Sequence, residues 1–120
     1  KHIPKKDRSE LFSIVNSFDI CIIPYDSSLP FNRLSYPMKI FEYFYAGKPV
    51  ISTPIIELGS QKFKGLVHIG KNDKEWQNHI DSLTSDTWPK SNIKKQIKMA
   101  LENTWSHKVS KIMRYVGLAD

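Results

Sequence analysis

One fifteen-residue segment constrains the fold of this chain more than any other: residues 39–53, with the sequence KIFEYFYAGKPVIST. The segment predicts a helix, a short turn and a strand in immediate succession. Gly47 is well placed to end the helix in the left-handed conformation, and Pro49 prevents the helix from continuing. Residues 50–53 have strand propensity. This order is typical of the αβ half of a parallel α/β unit.

The helix before Gly47 carries one polar stripe, which is the candidate functional face. At 100° per residue, Ser35, Lys39, Glu42 and Ala46 fall within an arc of about 60°. The far side is apolar, with Pro37, Ile40, Phe41, Phe44 and Tyr45. Ser35 is the predicted N-cap, with Pro37 in the first turn. A carboxylate among aromatic residues needs a partner, a cavity or a ligand. The alternatives for Glu42 are a ligand contact and an ion pair with Lys39.

The other segments predict further α/β units. Asp7 and Glu10 have capping-box spacing before a helix with apolar residues at helical spacing. Residues 20–23 form an apolar run typical of a strand buried on both faces, and residues 66–69 are a second strand-like run. Asp73 and Ser91 are predicted to cap two later helices, and residue 103 or 104 separates these from a last helix. The predicted fold class is α/β: a partial Rossmann-like domain with a small parallel sheet of three or four strands, flanked by helices.

The predicted organisation is a single domain spanning residues 1–120, with closing helices at about 90–117. So small a sheet can barely close its own core, so we expect the domain to be truncated at its N-terminal side, with two or three further βα units upstream. Residues 25–34 form a loop between the first strand and the key helix. This places the loop at the carboxyl edge of the sheet, where open α/β sheets bind ligands.

Composition narrows the classes of partner and location. The net charge of +6 favours anionic ligands or surfaces, and peripheral contact with an anionic membrane is one expectation. A single cysteine, Cys21, in an apolar run predicts a buried thiol and agrees with a reducing compartment. We therefore expect a cytoplasmic protein, peripheral at most to the inner face of the membrane. No metal-ligand spacing involves the four histidines, so no metal site is predicted. The densest basic cluster is predicted on a solvent-exposed helix face: Lys94, Lys95 and Lys98.

These motifs together resemble a family of enzymes. Residues 7–11 (DRSEL), 18–25 (FDICIIPY), 35–39 (SYPMK) and 42–53 (EYFYAGKPVIST) are similar to the donor-binding, C-terminal half of two-Rossmann-domain (GT-B) glycosyltransferases. The nearest subgroup is retaining family 4, also called glycosyl transferases group 1. The closing helix from Trp105 resembles the family's last helix. The resemblance covers about half of the chain well and the rest loosely.

The resemblance implies a nucleotide-sugar site on the key helix. Glu42 would bind the ribose hydroxyls, and Tyr36, Met38 and Lys39 would lie beside the diphosphate, where amides and a positive charge favour an anion. Ser35 belongs to the same segment, and His2 would lie near the base. No cofactor is implied beyond the nucleoside-diphosphate sugar itself, and the catalytic residues are unknown.

The resemblance also has gaps. Leu34 occupies a position where many members carry a second glutamate that contacts the donor sugar. The family's basic pair for the diphosphate and its N-terminal acceptor-binding domain lie upstream of this chain. The parent enzyme would transfer a sugar to a glycan or lipid-linked acceptor with retention, and the chain alone would be inactive. The alternative is a non-catalytic nucleotide- or partner-binding module that completes another chain. A nucleic-acid adaptor is disfavoured because Phe41 and Phe44 lie on an apolar helix face.

Overall fold

A computed structural model describes residues 2–118. The domain is an α/β structure in which a three-stranded parallel sheet, in the order β1-β2-β3, is flanked by helices. This confirms the predicted fold class of a partial Rossmann-like domain with a small parallel sheet. In chain order the elements are α1 Arg8–Asn16, β1 Cys21–Ile23, α2 Pro30–Arg33, α3 Lys39–Tyr45, β2 Val50–Ser52, a 3₁₀ turn Gln61–Phe63, β3 Val67–Ile69, α4 Asp73–Ser85, α5 Lys90–Glu102 and α6 Trp105–Tyr115.

The central strand β2 is fully buried, whereas β1 lies at an edge of the sheet. Cys21 and Ile23 are buried as predicted, but Ile22 is 47% exposed. The prediction that this strand is buried on both faces is therefore wrong for Ile22. Its partner in register, Ile51, is 0% exposed. The exposure of Ile22 thus follows from its place on an edge strand, which has a neighbour on one side only within residues 2–118.

The junction between α3 and β2 has the predicted geometry. Gly47 has a φ of 66°, in the left-handed region. The Lys48 amide donates to the Tyr43 carbonyl at 3.1 Å, and the Gly47 amide donates to the Phe44 carbonyl at 2.9 Å. These two bonds form a Schellman motif, which satisfies carbonyls at the end of the helix. The helix therefore stops at a defined residue, and β2 begins three residues after Gly47.

The start of α3 differs from the prediction. The helix begins at Lys39, with Met38 at the N-cap and no side-chain capping bond. The Ser35 hydroxyl instead donates to the Asn32 carbonyl at 2.8 Å. Ser35 thus belongs to the turn after α2, and α2 is a short helix within the predicted loop. Pro37 precedes α3. The prediction that Ser35 caps α3 is wrong, because the helix begins four residues after Ser35, which belongs to the preceding turn.

Other helix starts shift by one or two residues. Asp7 occupies the N-cap of α1 without a side-chain bond to the helix. The cap of α4 is Asn72, whose side chain accepts from the Glu75 amide at 3.0 Å, and Asp73 is the first helical residue. α5 begins at Lys90, ahead of the predicted cap Ser91. The predicted caps Asp73 and Ser91 are therefore wrong, because neighbouring residues take the extended conformation that an N-cap requires.

Helix α5 packs along α3 and completes the core. α3 buries Ile40, Phe41 and Phe44. Gln96 on α5 is 0% exposed, and its amide donates to the Lys48 carbonyl at 2.8 Å. Its side-chain oxygen accepts from the Trp88 indole N–H at 3.1 Å. A buried amide with both ends satisfied fixes α5 against the turn that follows α3.

The last helix stands apart from the core. No residue of α6 is buried, and Trp105 is 77% exposed. Trp105 is therefore not a core residue. The radius of gyration is 15.9 Å, against about 13.6 Å for a compact chain of this length. Within residues 2–118, no helix has both the length and the apolar character needed to cross a membrane.

Candidate functional site

The key helix α3 borders a groove with a volume of about 600 Å³. Its walls come from α1, from α3 and from the junction between α5 and α6. Met38 and Glu42 contribute to the α3 wall, so two of the predicted site residues face the same space. The lining residues are Arg8, Leu11, Phe12, Val15, Met38, Phe41, Glu42, Tyr45, Ala100, Leu101, Asn103, Thr104 and Trp105.

The Glu42 carboxylate is open to this groove. Within residues 2–118, ion pairs form between Lys6 and Glu10 at 3.6 Å and between Lys98 and Glu102 at 3.8 Å, and none includes Glu42. Glu42 is exposed, so its charge is not buried among the aromatic residues of α3. The apolar residues on the opposite face of α3 pack in the core, and Glu42 is in contact with solvent.

Lys39 is engaged by an aromatic ring. Its Nζ lies 5.0 Å from the ring centroid of Tyr25, a cation–π contact. An ion pair between Lys39 and Glu42, the structural alternative for both residues, is not formed in the described part of the chain. Lys39 is thus held on the β1 side of α3, while Glu42 remains without a structural partner.

The groove has a defined orientation relative to the sheet. α1 precedes β1 and α3 precedes β2, and both strands are parallel, so both helices run back across the sheet. Their N-terminal ends, marked by Arg8 and Met38, therefore lie toward the carboxyl edge. Ligands of open α/β sheets bind at this edge. Glu42 is one helical turn further from the edge than Met38.

The start of α3 offers less to an anion than the sequence predicted. Within residues 2–118 the Met38 and Lys39 amides donate to no backbone carbonyl, whereas the Ile40 amide donates to Pro37 at 3.2 Å. However, α3 is only seven residues long. The dipole of such a short helix adds little, so an anion here would depend on full charges. Arg8, at the same end of the groove, is the nearest candidate besides Lys39.

Four of the predicted site residues lie outside the groove wall: Lys39, whose ammonium group lies over the Tyr25 ring, and Ser35, Tyr36 and His2. Tyr36 accepts a hydrogen bond from Lys62 Nζ at 2.8 Å and packs edge-on against Phe41. Ser35 is bonded to the turn after α2. His2 is exposed, in an N-terminal segment without regular structure. The structure therefore brings Met38 and Glu42 together on the groove wall and leaves the other four outside it: Lys39, Ser35, Tyr36 and His2.

Sequence reasoning missed most of the opposite wall. Arg8 and Phe12 come from α1, and Trp105 comes from the start of α6. Phe12 and Tyr45 contact each other across the groove, with ring centroids 5.3 Å apart. The helical spacing of Arg8 and Phe12 could have placed both on one face of α1. No local signal could have placed Trp105 at the same groove, because about ninety positions of the chain separate it from α1.

The pKa values of Cys21 and His68 are shifted from their ordinary values, and neither residue lines the groove. Burial raises the pKa of the Cys21 thiol to about 11. Burial, followed by the neighbouring His79, lowers the pKa of His68. The rings of His68 and His79 are 5.3 Å apart, on β3 and α4. Within residues 2–118, no group of three His, Cys, Asp or Glu side chains could hold a metal ion.

The loop after β1 is built by local hydrogen bonds. Asp26 accepts from the Ser28 amide at 3.0 Å and from the Ser28 hydroxyl. These bonds lower the pKa of Asp26. The pattern is an Asx turn, which agrees with the loop predicted to follow the first strand.

Many nucleotide-binding proteins share this architecture, a Rossmann-like α/β domain with a groove beside the carboxyl edge of its sheet. Comparison with known sequences suggests a relationship with a glycosyltransferase. The chain is 43% identical over 47 residues to “Putative teichuronic acid biosynthesis glycosyltransferase TuaH” of Bacillus subtilis (strain 168). The aligned part is 39% of this chain and 12% of that protein. No family model and no solved structure matches the chain.

Proposed function

We propose that this chain is the nucleotide-sugar-binding part of a glycosyltransferase, corresponding to the C-terminal half of a GT-B enzyme of retaining family 4. The observation that carries the proposal is Glu42: a carboxylate without an ion-pair partner in the described residues, on the wall of a groove beside the carboxyl edge. The partial likeness to a glycosyltransferase supports the same class.

The groove offers each part of a nucleoside diphosphate a suitable contact. The Glu42 carboxylate can accept hydrogen bonds from two vicinal hydroxyls, as a ribose would present. Phe12 and Tyr45 give a base an aromatic wall. Arg8 brings positive charge to the edge side of the groove, where the diphosphate would lie, and Lys39 lies at the same end of α3 but outside the groove wall, over the Tyr25 ring. Met38 borders the same end.

In the proposed reaction, catalysis rests on stabilising the departing diphosphate. Negative charge develops on the leaving oxygen as the sugar–phosphate bond breaks, and fixed positive charges lower the energy of that state. Arg8 is the groove residue that we assign to this role, and Lys39 would assist from the same end of α3. An N-terminal acceptor-binding domain, outside this chain, would position a glycan or lipid-linked acceptor. We therefore expect the chain alone to bind donor without transferring sugar.

The test compares two glutamates of the same chain. Uridine, guanosine and adenosine diphosphates are titrated into the wild-type chain, into Glu42→Gln and into Glu102→Gln, an exposed glutamate on α5 outside the groove wall. Loss of a charge-assisted hydrogen bond, worth about 1.5–3 kcal/mol, predicts roughly ten- to hundredfold weaker binding for Glu42→Gln alone.

Thermal unfolding without nucleotide accompanies each titration. Because Glu42 is exposed and unpaired, its substitution should leave the melting temperature unchanged. Equal affinities in Glu42→Gln and Glu102→Gln would refute the assignment of Glu42 as a ribose ligand. So would a drop in melting temperature confined to Glu42→Gln, because it would make Glu42 a structural residue.

A further inference from the structure

A second cavity lies at the amino edge of the sheet and has a volume of about 560 Å³. Asp19 lines it two residues before β1 begins, and Lys48 lines it two residues before β2 begins. Asp86, at the end of α4, lines the same space. The cavity shares no lining residue with the groove beside the carboxyl edge, so it is a separate site.

One wall of this cavity is an indole ring held in a fixed orientation. The Trp88 indole N–H donates to the Gln96 side-chain oxygen at 3.1 Å, and the Gln96 amide donates to the Lys48 carbonyl at 2.8 Å. Because Gln96 is 0% exposed, these bonds tie Trp88 firmly to the turn that carries Lys48. The Trp88 ring also packs against the His68 ring, with centroids 5.8 Å apart. Since its N–H is already satisfied, Trp88 offers the cavity an aromatic surface.

The charged groups that line the cavity are not engaged with one another. Among the residues that the structure describes, no ion pair includes Asp19, Lys48 or Asp86. Asp86 accepts a long hydrogen bond from the Ser82 hydroxyl, at 3.5 Å. Thr87 adds a hydroxyl to the same wall. The cavity thus combines two negatively charged acceptors, one positively charged donor and an aromatic surface.

This mixture of charges disfavours an ionic ligand. The two carboxylates repel a phosphate or carboxylate group, and the Lys48 ammonium repels a cation. A metal ion is disfavoured as well, because no group of three His, Cys, Asp or Glu side chains in the described chain could hold one. A neutral ligand with many hydroxyls suits the cavity, since each hydroxyl can donate to a carboxylate and accept from an ammonium or a hydroxyl.

We propose that this cavity binds a neutral glycan. A sugar ring has a C–H face that packs on the Trp88 indole, while its hydroxyls form charge-assisted hydrogen bonds with Asp19, Asp86 and Lys48. The volume of about 560 Å³ lies within the range of about 300–1,000 Å³ that small-ligand pockets occupy. Because the cavity is separate from the groove, it holds a glycan whether or not a nucleotide is bound.

The binding test titrates the chain with three neutral oligosaccharides that differ in sugar or linkage: maltotetraose, cellotetraose and the tetramer of N-acetylglucosamine. Nitrogen–proton correlation NMR should show saturable shift changes with at least one of them. The changes should cluster at the Trp88 indole and at the amides of Asp19, Lys48 and Thr87. Raised salt should leave the affinity unchanged, because the ligand carries no charge.

Two substitutions and their matched controls assign the site. Asp19→Ala removes an exposed carboxylate and should weaken glycan binding roughly tenfold, whereas Asp7→Ala, at an exposed aspartate outside the cavity, should not. Lys48→Met keeps the apolar stem and removes the ammonium, so it should weaken binding several-fold, whereas Lys64→Met should not. Because Asp19 is exposed and has no ion-pair partner in the described chain, the melting temperature of Asp19→Ala without glycan should be unchanged.

Three results would overturn the proposal. The first is the absence of saturable shift changes with all three oligosaccharides at millimolar concentration. The second is equal glycan affinity in Asp19→Ala and Asp7→Ala. The third is tighter binding of tetralysine than of any oligosaccharide at the same residues, because the cavity would then accept a cationic segment of a partner.

Discussion

Replacement of Gly47 by alanine tests the junction that holds α3 against the sheet. Gly47 has a φ of 66°, and a Cβ built on it would lie 2.8 Å from Ile93 Cγ2 on α5. Two penalties therefore apply to the same substitution. One is the left-handed backbone conformation, and the other is a steric clash with the helix that covers α3.

The two penalties can be given magnitudes. A non-glycine residue in the left-handed region costs about 1–2 kcal/mol. Inserting a methyl group into a packed interface costs about 1–3 kcal/mol, because a branched side chain such as Ile93 must shift. The free energy of unfolding of Gly47→Ala should therefore fall by about 2–5 kcal/mol. For a small domain that is a large share of its stability.

Urea denaturation measures this loss, and Gly65 supplies the control. Gly65 has a φ of 77°, and a Cβ there would meet nothing within 4 Å. The free energy of unfolding of Gly65→Ala should therefore fall only by the cost of the left-handed backbone conformation, about 1–2 kcal/mol. Equal losses in the two alanine variants would refute the clash with Ile93. No loss in either would refute the left-handed conformations.

Three further predictions concern buried groups. Because burial raises the pKa of Cys21 to about 11 from an ordinary 9.0, alkylation of the native thiol near neutral pH should be at least a hundredfold slower than in urea, and equal rates would contradict the burial. Burial lowers the pKa of His68 below 6.5, so the unfolded chain binds the proton more readily and stability should fall as pH drops below 6.5. His68→Phe should flatten this dependence, and an unchanged dependence in that variant would contradict the role given to His68. A Cβ on Gly70 would lie 2.5 Å from Trp76 Cδ1, so Gly70→Ala should displace the indole and change its fluorescence. The free energy of unfolding measured in urea should fall by about 1–3 kcal/mol. Unchanged emission would argue against the contact between Gly70 and Trp76.

The elements that could be predicted are those specified by local residues. Gly47 and Pro49 determine where α3 ends and where β2 begins, because few residues adopt a positive φ and proline lacks an amide. The short apolar runs around Cys21 and Val67 have the character of strands in a parallel sheet. The fold class followed from this alternation of helix and strand.

The start of α3 could not be predicted, because it depends on competition between neighbours. Ser35 has the chemistry of a cap, yet its hydroxyl is used by the Asn32 carbonyl of the preceding turn. Gln96 was missed for a similar reason. Its amide pairs with Lys48 and Trp88, contacts that span up to 48 positions of sequence.

The candidate site could be predicted only in part. The helical arc of α3 identified the polar stripe that contains Lys39 and Glu42. It could not show that Lys39 lies over the Tyr25 ring while Glu42 lines the groove. The groove is lined by α1, by α3 and by the junction between α5 and α6, so Arg8 and Trp105 come to the same site only in the folded chain. Long-range packing of this kind leaves no local pattern in the sequence.

Backbone nitrogen–proton correlation NMR of the chain during titration with a nucleoside diphosphate is the most direct test of the proposed donor site. The account predicts that the largest shift changes cluster at the amides of Arg8, Phe12, Met38, Lys39 and Glu42, and that Glu42→Gln reduces them at equal ligand concentration. Changes that cluster on other elements, or none with any of the three diphosphates at millimolar concentration, would contradict it.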